Sequence, residues 1–134
     1  MSLTLTDATA IAAAAEEYAE SQELRVSIAV VDKSTYIQHV IRMEGAPYTS
    51  AEGAIEKART AAEGGHPTTV FEEPLNAGRY SMLKMPINPL EGGIPVIVDG
   101  QCVGAIGVVG VLPHLDAAIA EAGLKALDHH AVTT

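Results

Sequence analysis

Tryptophan is absent from this 134-residue chain, and phenylalanine and cysteine occur once each. Aromatic residues make up 4 % of it, too few to build the stacking platforms on which single-stranded nucleic acid is held. Basic residues are also scarce: 8 Lys and Arg stand against 17 Asp and Glu, a formal net charge of −9. That balance opposes a phosphate backbone, so no nucleic-acid partner is expected. The lone Cys102 excludes an intrachain disulfide framework and a cysteine-rich zinc site. The five histidines show no H-E-x-x-H or other dense ligand spacing, and no metal site is expected. No apolar run approaches the roughly 20 residues of a membrane helix. The alanine-rich stretch at 10–15 lies between Asp7 and Glu16 without a basic flank, unlike a secretion signal. The expectation is a cytoplasmic protein with no membrane partner.

Small apolar residues fill the space left by the missing aromatics. There are 22 Ala and 12 Val, so the core must be built from small side chains with its elements packed close. The length fits one domain spanning 1–134. A chain of this size buries roughly two-thirds of its unfolded surface and needs no disulfide or metal to hold a core. Charge is unevenly placed. Seven of the eight basic residues fall between Arg25 and Lys84, so a site for an anion belongs to that middle section.

The spacing predicts a helix from Thr6, as N-cap, to about Gln22. Arg25–Asp32 and Thr35–Met43 alternate and read as a β-hairpin turning at Lys33–Ser34. Thr49-Ser50-Ala51-Glu52 has the spacing of a capping box opening a second helix, which Gly64–Gly65 stops. Residues 66–92 carry four prolines and read as irregular, with one short strand near Tyr80–Lys84. Ile94–Val98 and Gln101–Val109 form a second hairpin through Asp99–Gly100. Pro113 opens a last helix to about His129, and His129–His130 read as a solvated end. Hairpin connections imply an antiparallel sheet with helices packed on it.

Several residues could carry chemistry. Arg42, at the end of a strand, offers a guanidinium able to clamp a carboxylate with two parallel hydrogen bonds, or simply an ion pair with Glu44. Lys57 and Thr60 share a helix stripe with Gly53 and Gly64, so Lys57 either fixes an anionic group or reaches outward from a closely packed helix. Gly92–Gly93 could expose backbone N–H groups as an anion-binding concavity, or only permit tight packing. His66, just after the Lys57 helix, could serve as a general base or an axial iron ligand. Neither a dinucleotide fingerprint nor a phosphate loop is present.

Five motifs fall in an order that resembles the GlcG/HbpS-like family: Val30-Val31-Asp32, Arg42-Met43-Glu44-Gly45-Ala46, Glu56-Lys57-Ala58-Arg59-Thr60-Ala61, Pro67-Thr68 with Gly92-Gly93-Ile94-Pro95, and Gly104-Ala105-Ile106-Gly107-Val108. The resemblance implies an α+β fold with a five-stranded antiparallel sheet flanked by helices, profilin-like in architecture, and assembly into homo-oligomers. It also implies a small-molecule-binding protein, with haem or a related tetrapyrrole as the leading ligand. Arg42, Lys57, Thr60, Thr68, Gly92 and Gly93 would line the ligand cradle. An alternative is a cofactor-independent isomerase, lyase or hydrolase acting on a small carboxylate or carbonyl compound. Arg42 or Lys57 would then hold the anion, and Glu44 or His66 would move the proton.

Overall fold

The computed structural model describes residues 2–133, with side chains described through residue 127. Helix α1 (Leu5–Ser21) is followed by β1 (Ser27–Asp32) and β2 (Ile37–Arg42), then α2 (Ser50–Gly64) and α3 (Thr69–Asn76). A 3₁₀ helix at Tyr80–Lys84 precedes β3 (Gly93–Val98), β4 (Gln101–Val109) and α4 (Pro113–Thr133). The side chains of His129 and His130 lie outside the described residues. The strands form one antiparallel sheet in the order β2-β1-β4-β3.

The sheet has four strands, not the five that the resemblance implies. Tyr80–Lys84, read as a strand, closes on itself instead: the Met82 N–H donates to the Arg79 carbonyl and the Met85 N–H to that of Met82. The stretch read as irregular also holds α3, whose Pro74 disguised it. Proline lacks one N–H, but a helix of two turns forms around that gap.

Alternation along β1 sorts the core into two layers. Val26, Ile28 and Val30 pack with Ile106, Val108 and Val96 under α1 and α4. Ala29, Val31 and Ala105 face α2 through Ala54, Ala58 and Ala61. The second layer is almost entirely alanine, so α2 lies close on the sheet. A methyl group at Gly107 would run into the backbone of Ala54 and Ala58. The composition thus has a structural cause: the two backbones are too near each other for larger side chains.

The helix ends differ from the reading in detail. Thr4, not Thr6, caps α1, its hydroxyl accepting from the Asp7 N–H at 3.1 Å. The capping box at Thr49–Glu52 does not form, because Thr49 has ψ near 2° and its side chain makes no cap hydrogen bond. Ser50 anchors that end instead, donating its hydroxyl to the Pro47 carbonyl at 2.6 Å and meeting the Ser27 hydroxyl at 2.8 Å. Gly65 stops α2 in the left-handed conformation, as its sequence position suggests. Asp99 and Gly100 both have positive φ, which the two-residue turn between β3 and β4 requires.

Candidate functional site

Lys57 projects from α2 toward the last turn of β4. It is 3 % exposed at the side chain, and all three of its N–H donors are engaged. They reach the Glu91 carbonyl at 2.9 Å, the Val108 carbonyl at 3.0 Å and Asp116 Oδ2 at 3.3 Å. Asp116, 2 % exposed, stands in the first turn of α4 and accepts the Val111 N–H through its other oxygen at 3.1 Å. Burial pulls the Lys57 ammonium below the ordinary lysine range, opposed by Asp116 and, further away, by Glu72 and Glu91. Burial likewise pushes the Asp116 carboxyl upward, opposed by Lys57 and by the N–H groups of Val111 and Gly110.

Two more of the residues singled out in the sequence hold the same loop. Thr60 Oγ1 donates to the Glu56 carbonyl at 2.8 Å and accepts the Asn88 N–H at 2.9 Å. Thr68 Oγ1 donates to the Leu90 carbonyl at 2.7 Å and accepts the Gly93 N–H at 3.1 Å. Lys57, Thr60 and Thr68 therefore converge on residues 88–93 of their own chain. Gly92 and Gly93 complete this knot. A Cβ on Gly92 would lie 2.8 Å from Lys57 Nζ, and one on Gly93 would lie 2.7 Å from Thr68 Cγ2. Their glycine character serves close packing, and the Gly93 N–H is spent on Thr68. Thr68→Val keeps the shape but leaves the Gly93 N–H and the Leu90 carbonyl without this partner. A loss of about 1–3 kcal/mol is expected in urea denaturation.

The Lys57–Asp116 pair forms the floor of a cleft of about 340 Å³, whose walls include Glu52, Gly53, Glu56, Asn88 and Val109. Arg42 lies on a different cleft, of about 360 Å³, with Gly45, Ala46, Pro47 and Tyr48. The two cations are on the same face and the same end of the sheet, since Arg42, Ser27 and Val109 occupy one row of the register. The start of α2 comes down between them: Ser50 bonds Ser27, the middle residue of that row. The single hollow expected around both Arg42 and Lys57 is thus two clefts. Glu44 and His66, expected to move protons, are exposed and belong to the lining of neither.

Asp116 is the residue the sequence reading missed. A lysine on a glycine stripe packed against a sheet is buried, and a buried ammonium needs a carboxylate. Residues 85–124 hold four acids and no base, so the partner was in view as a set of four but not as one residue. Glu52 and Glu56 were also missed, the first because it was assigned to a cap.

This architecture, one sheet with two helices on one face and one close-packed helix on the other, defines a small α+β fold. Residues 3–125 match the family described as "Haem degrading protein HbpS-like", and the chain belongs to that family. It is 44 % identical to protein GlcG of Escherichia coli K12 over 102 residues, which cover 75 % of this chain and 76 % of that protein. The solved structure of HbpS overlays with a TM-score of 0.88 at 37 % identity, covering 95 % of this chain and 91 % of that one. The PduOC–haem complex overlays with a TM-score of 0.85 at 26 % identity, covering 94 % and 95 %. Among the described residues no helix is long and apolar enough to cross a membrane.

Proposed function

We propose that this chain is a small-molecule-binding protein whose leading ligand is haem or a related tetrapyrrole. The observation that carries the reading is the likeness, over 94 % of the chain, to a domain whose solved structure is a haem complex. Haem asks for cationic groups at its two propionates, an apolar wall, and an iron donor such as imidazole, thioether or phenolate. Of the cationic residues selected from the sequence, Arg42 has donors to spare, one N–H being given to the Ala46 carbonyl at 3.2 Å. Tyr48, 96 % exposed, puts a phenol on the same cleft. Ala46 and Pro47 supply apolar lining to that cleft. These residues fit the group: Arg42 would hold a propionate and Tyr48 would offer the iron donor. Bound haem would supply redox-active iron. His66, just past the C-terminal end of α2, is the competing donor. As one polypeptide the cleft is shallow, and the homo-oligomer implied by the resemblance is part of this proposal.

Titration with haemin tests it. A Soret band displaced from that of free haemin, saturating at a fixed stoichiometry, is expected. Arg42→Ala should weaken binding about tenfold or more, the worth of one charge-assisted contact. Tyr48→Phe should change the spectrum without changing the fold. A free-haemin spectrum at stoichiometric protein overturns the reading; a spectrum that follows His66→Ala instead moves the seat.

The enzymatic alternative, a cofactor-independent isomerase, lyase or hydrolase, takes Arg42 or Lys57 as the holder of the anion. With all three Lys57 donors filled, that reading keeps Arg42 as the holder of the anion.

A further inference from the structure

Arg42 gives its cleft one cation, and a ligand with two carboxylates asks for a second. Arg25 stands where a second is needed. The Met43 N–H donates to the Val26 carbonyl at 3.0 Å, so the pairing of β1 with β2 continues beyond the row of Ser27 and Arg42. Val26 and Met43 are both buried in the layer under α1 and α4. Alternation then returns Arg25 to the face of Ser27 and Arg42, diagonally across from Arg42. Gly45, which lines the Arg42 cleft, links the two. A Cβ on Gly45 would lie 3.6 Å from Arg25 Cγ and 4.0 Å from its Cδ. The stem of Arg25 therefore lies against a residue of the cleft wall, and its guanidinium begins one bond beyond Cδ.

That guanidinium has one weak partner. Arg25 Nη1 donates to Glu20 Oε1, near the end of α1, at 3.1 Å, and both side chains are about half exposed. Such a pair holds little, because water screens it and two long side chains must be ordered to make it. The remaining donors of Arg25 bond to nothing among the described residues, and Glu44 forms an ion pair with neither arginine there. A ligand carboxylate in the cleft competes with Glu20 on good terms, since it can take two parallel N–H donors where Glu20 takes one. We propose that Arg25 and Arg42 form a two-guanidinium clamp for a flat ligand bearing two carboxylates, with Glu20 as the internal carboxylate that the ligand displaces. This rests on the tetrapyrrole reading above, whose ligand has two propionates, and adds which residue takes the second of them. The two members of one surface pair then act on binding in opposite directions.

Titration of the full chain with haemin by absorbance, and with iron-free protoporphyrin by fluorescence, tests the clamp. Protoporphyrin keeps both carboxylates and has no iron, so its affinity does not depend on an iron donor. Arg25→Gln should weaken binding of both pigments about tenfold, the worth of one charge-assisted contact. Glu20→Gln should tighten both by about twofold to fivefold, the hold of a surface pair. Both variants should keep the wild-type circular dichroism spectrum. The dimethyl ester of protoporphyrin, which lacks the charges, should bind the wild type and Arg25→Gln equally. A wild type that binds neither pigment overturns the tetrapyrrole reading and the clamp with it. A wild type that binds both, with affinities that Arg25→Gln and Glu20→Gln leave unchanged or shift in the same direction, overturns the clamp alone. An ester that loses as much as the free acid on Arg25→Gln also overturns it, because the arginine would then act through shape and not through charge.

Discussion

Lys57→Met is expected to cost about 3–5 kcal/mol of stability, because it leaves the Asp116 carboxylate buried without its counter-charge. Folded domains of this kind hold only about 5–15 kcal/mol in total, so the variant should be visibly weakened. The same substitution frees the Val108 and Glu91 carbonyls, loosening the β4 exit and the 88–93 loop together. Asp116→Asn should also destabilise, by leaving the ammonium buried and unpaired. The two losses should respond to pH in opposite directions. In Lys57→Met the remaining carboxyl has a folded-state pKa raised by burial. The folded state then binds the proton more tightly than the unfolded state, so the penalty is full at neutral pH and shrinks as pH falls toward the ordinary carboxylate range. In Asp116→Asn the remaining ammonium has a lowered pKa, and its penalty shrinks as pH rises toward the ordinary lysine value of 10.5. The double variant should cost less than the sum of the singles, since it removes both buried charges at once. Urea denaturation of the three variants at acidic, neutral and alkaline pH measures all of this. Parallel pH dependences for the two single variants would show that the pair is not ionised as described.

How much of this was legible in the sequence depends on the range of the interaction involved. Hairpins and helix stops are local, and Asp99–Gly100 and Gly65 announce themselves through the positive φ that their positions require. The face of β2 on which Arg42 lies was also readable, because alternation fixes it. Where α2 begins relative to that face was not. Ser50 seats on Ser27 through a contact spanning 23 residues, and that seat divides the expected hollow in two. The Lys57–Asp116 pair spans 59 residues, beyond any periodic signal. In α3, local chemistry misled, since Pro74 was read as a breaker while the helix simply did without one hydrogen bond. The family motifs located the glycines correctly, yet Gly92 and Gly93 pack against the chain's own lysine and threonine, with no N–H on Gly93 left over for an anion.

Gly107, two residues before the end of β4, should be the least replaceable small residue of the α2 layer. Gly107→Ala is expected to cost about 3 kcal/mol, the upper end for an overfilled site. The new methyl would meet the Ala54 carbonyl, the Ala58 N at 2.6 Å and Lys57 Cβ at 3.1 Å. Two of these are helix backbone atoms, which cannot rotate aside as a side chain does. Relief requires lifting α2 from the sheet, and that lift also draws Lys57 away from Val108, Glu91 and Asp116. The cost should therefore exceed that of a clash with side chains alone. Gly53→Ala, on α2 itself, is the matched control. The three atoms nearest its methyl would all belong to the side chain of Val109, at 3.1 Å from Cγ2, and that side chain lines the same cleft as Gly53. Alanine also gains about 1 kcal/mol over glycine in a helix interior. The net change at Gly53 should thus be near zero or favourable. Denaturation midpoints of the two variants make the comparison directly. Equal, small effects at both positions would mean that α2 rides higher on the sheet than its contacts with Gly107 indicate, and the close-packed alanine layer would lose its explanation.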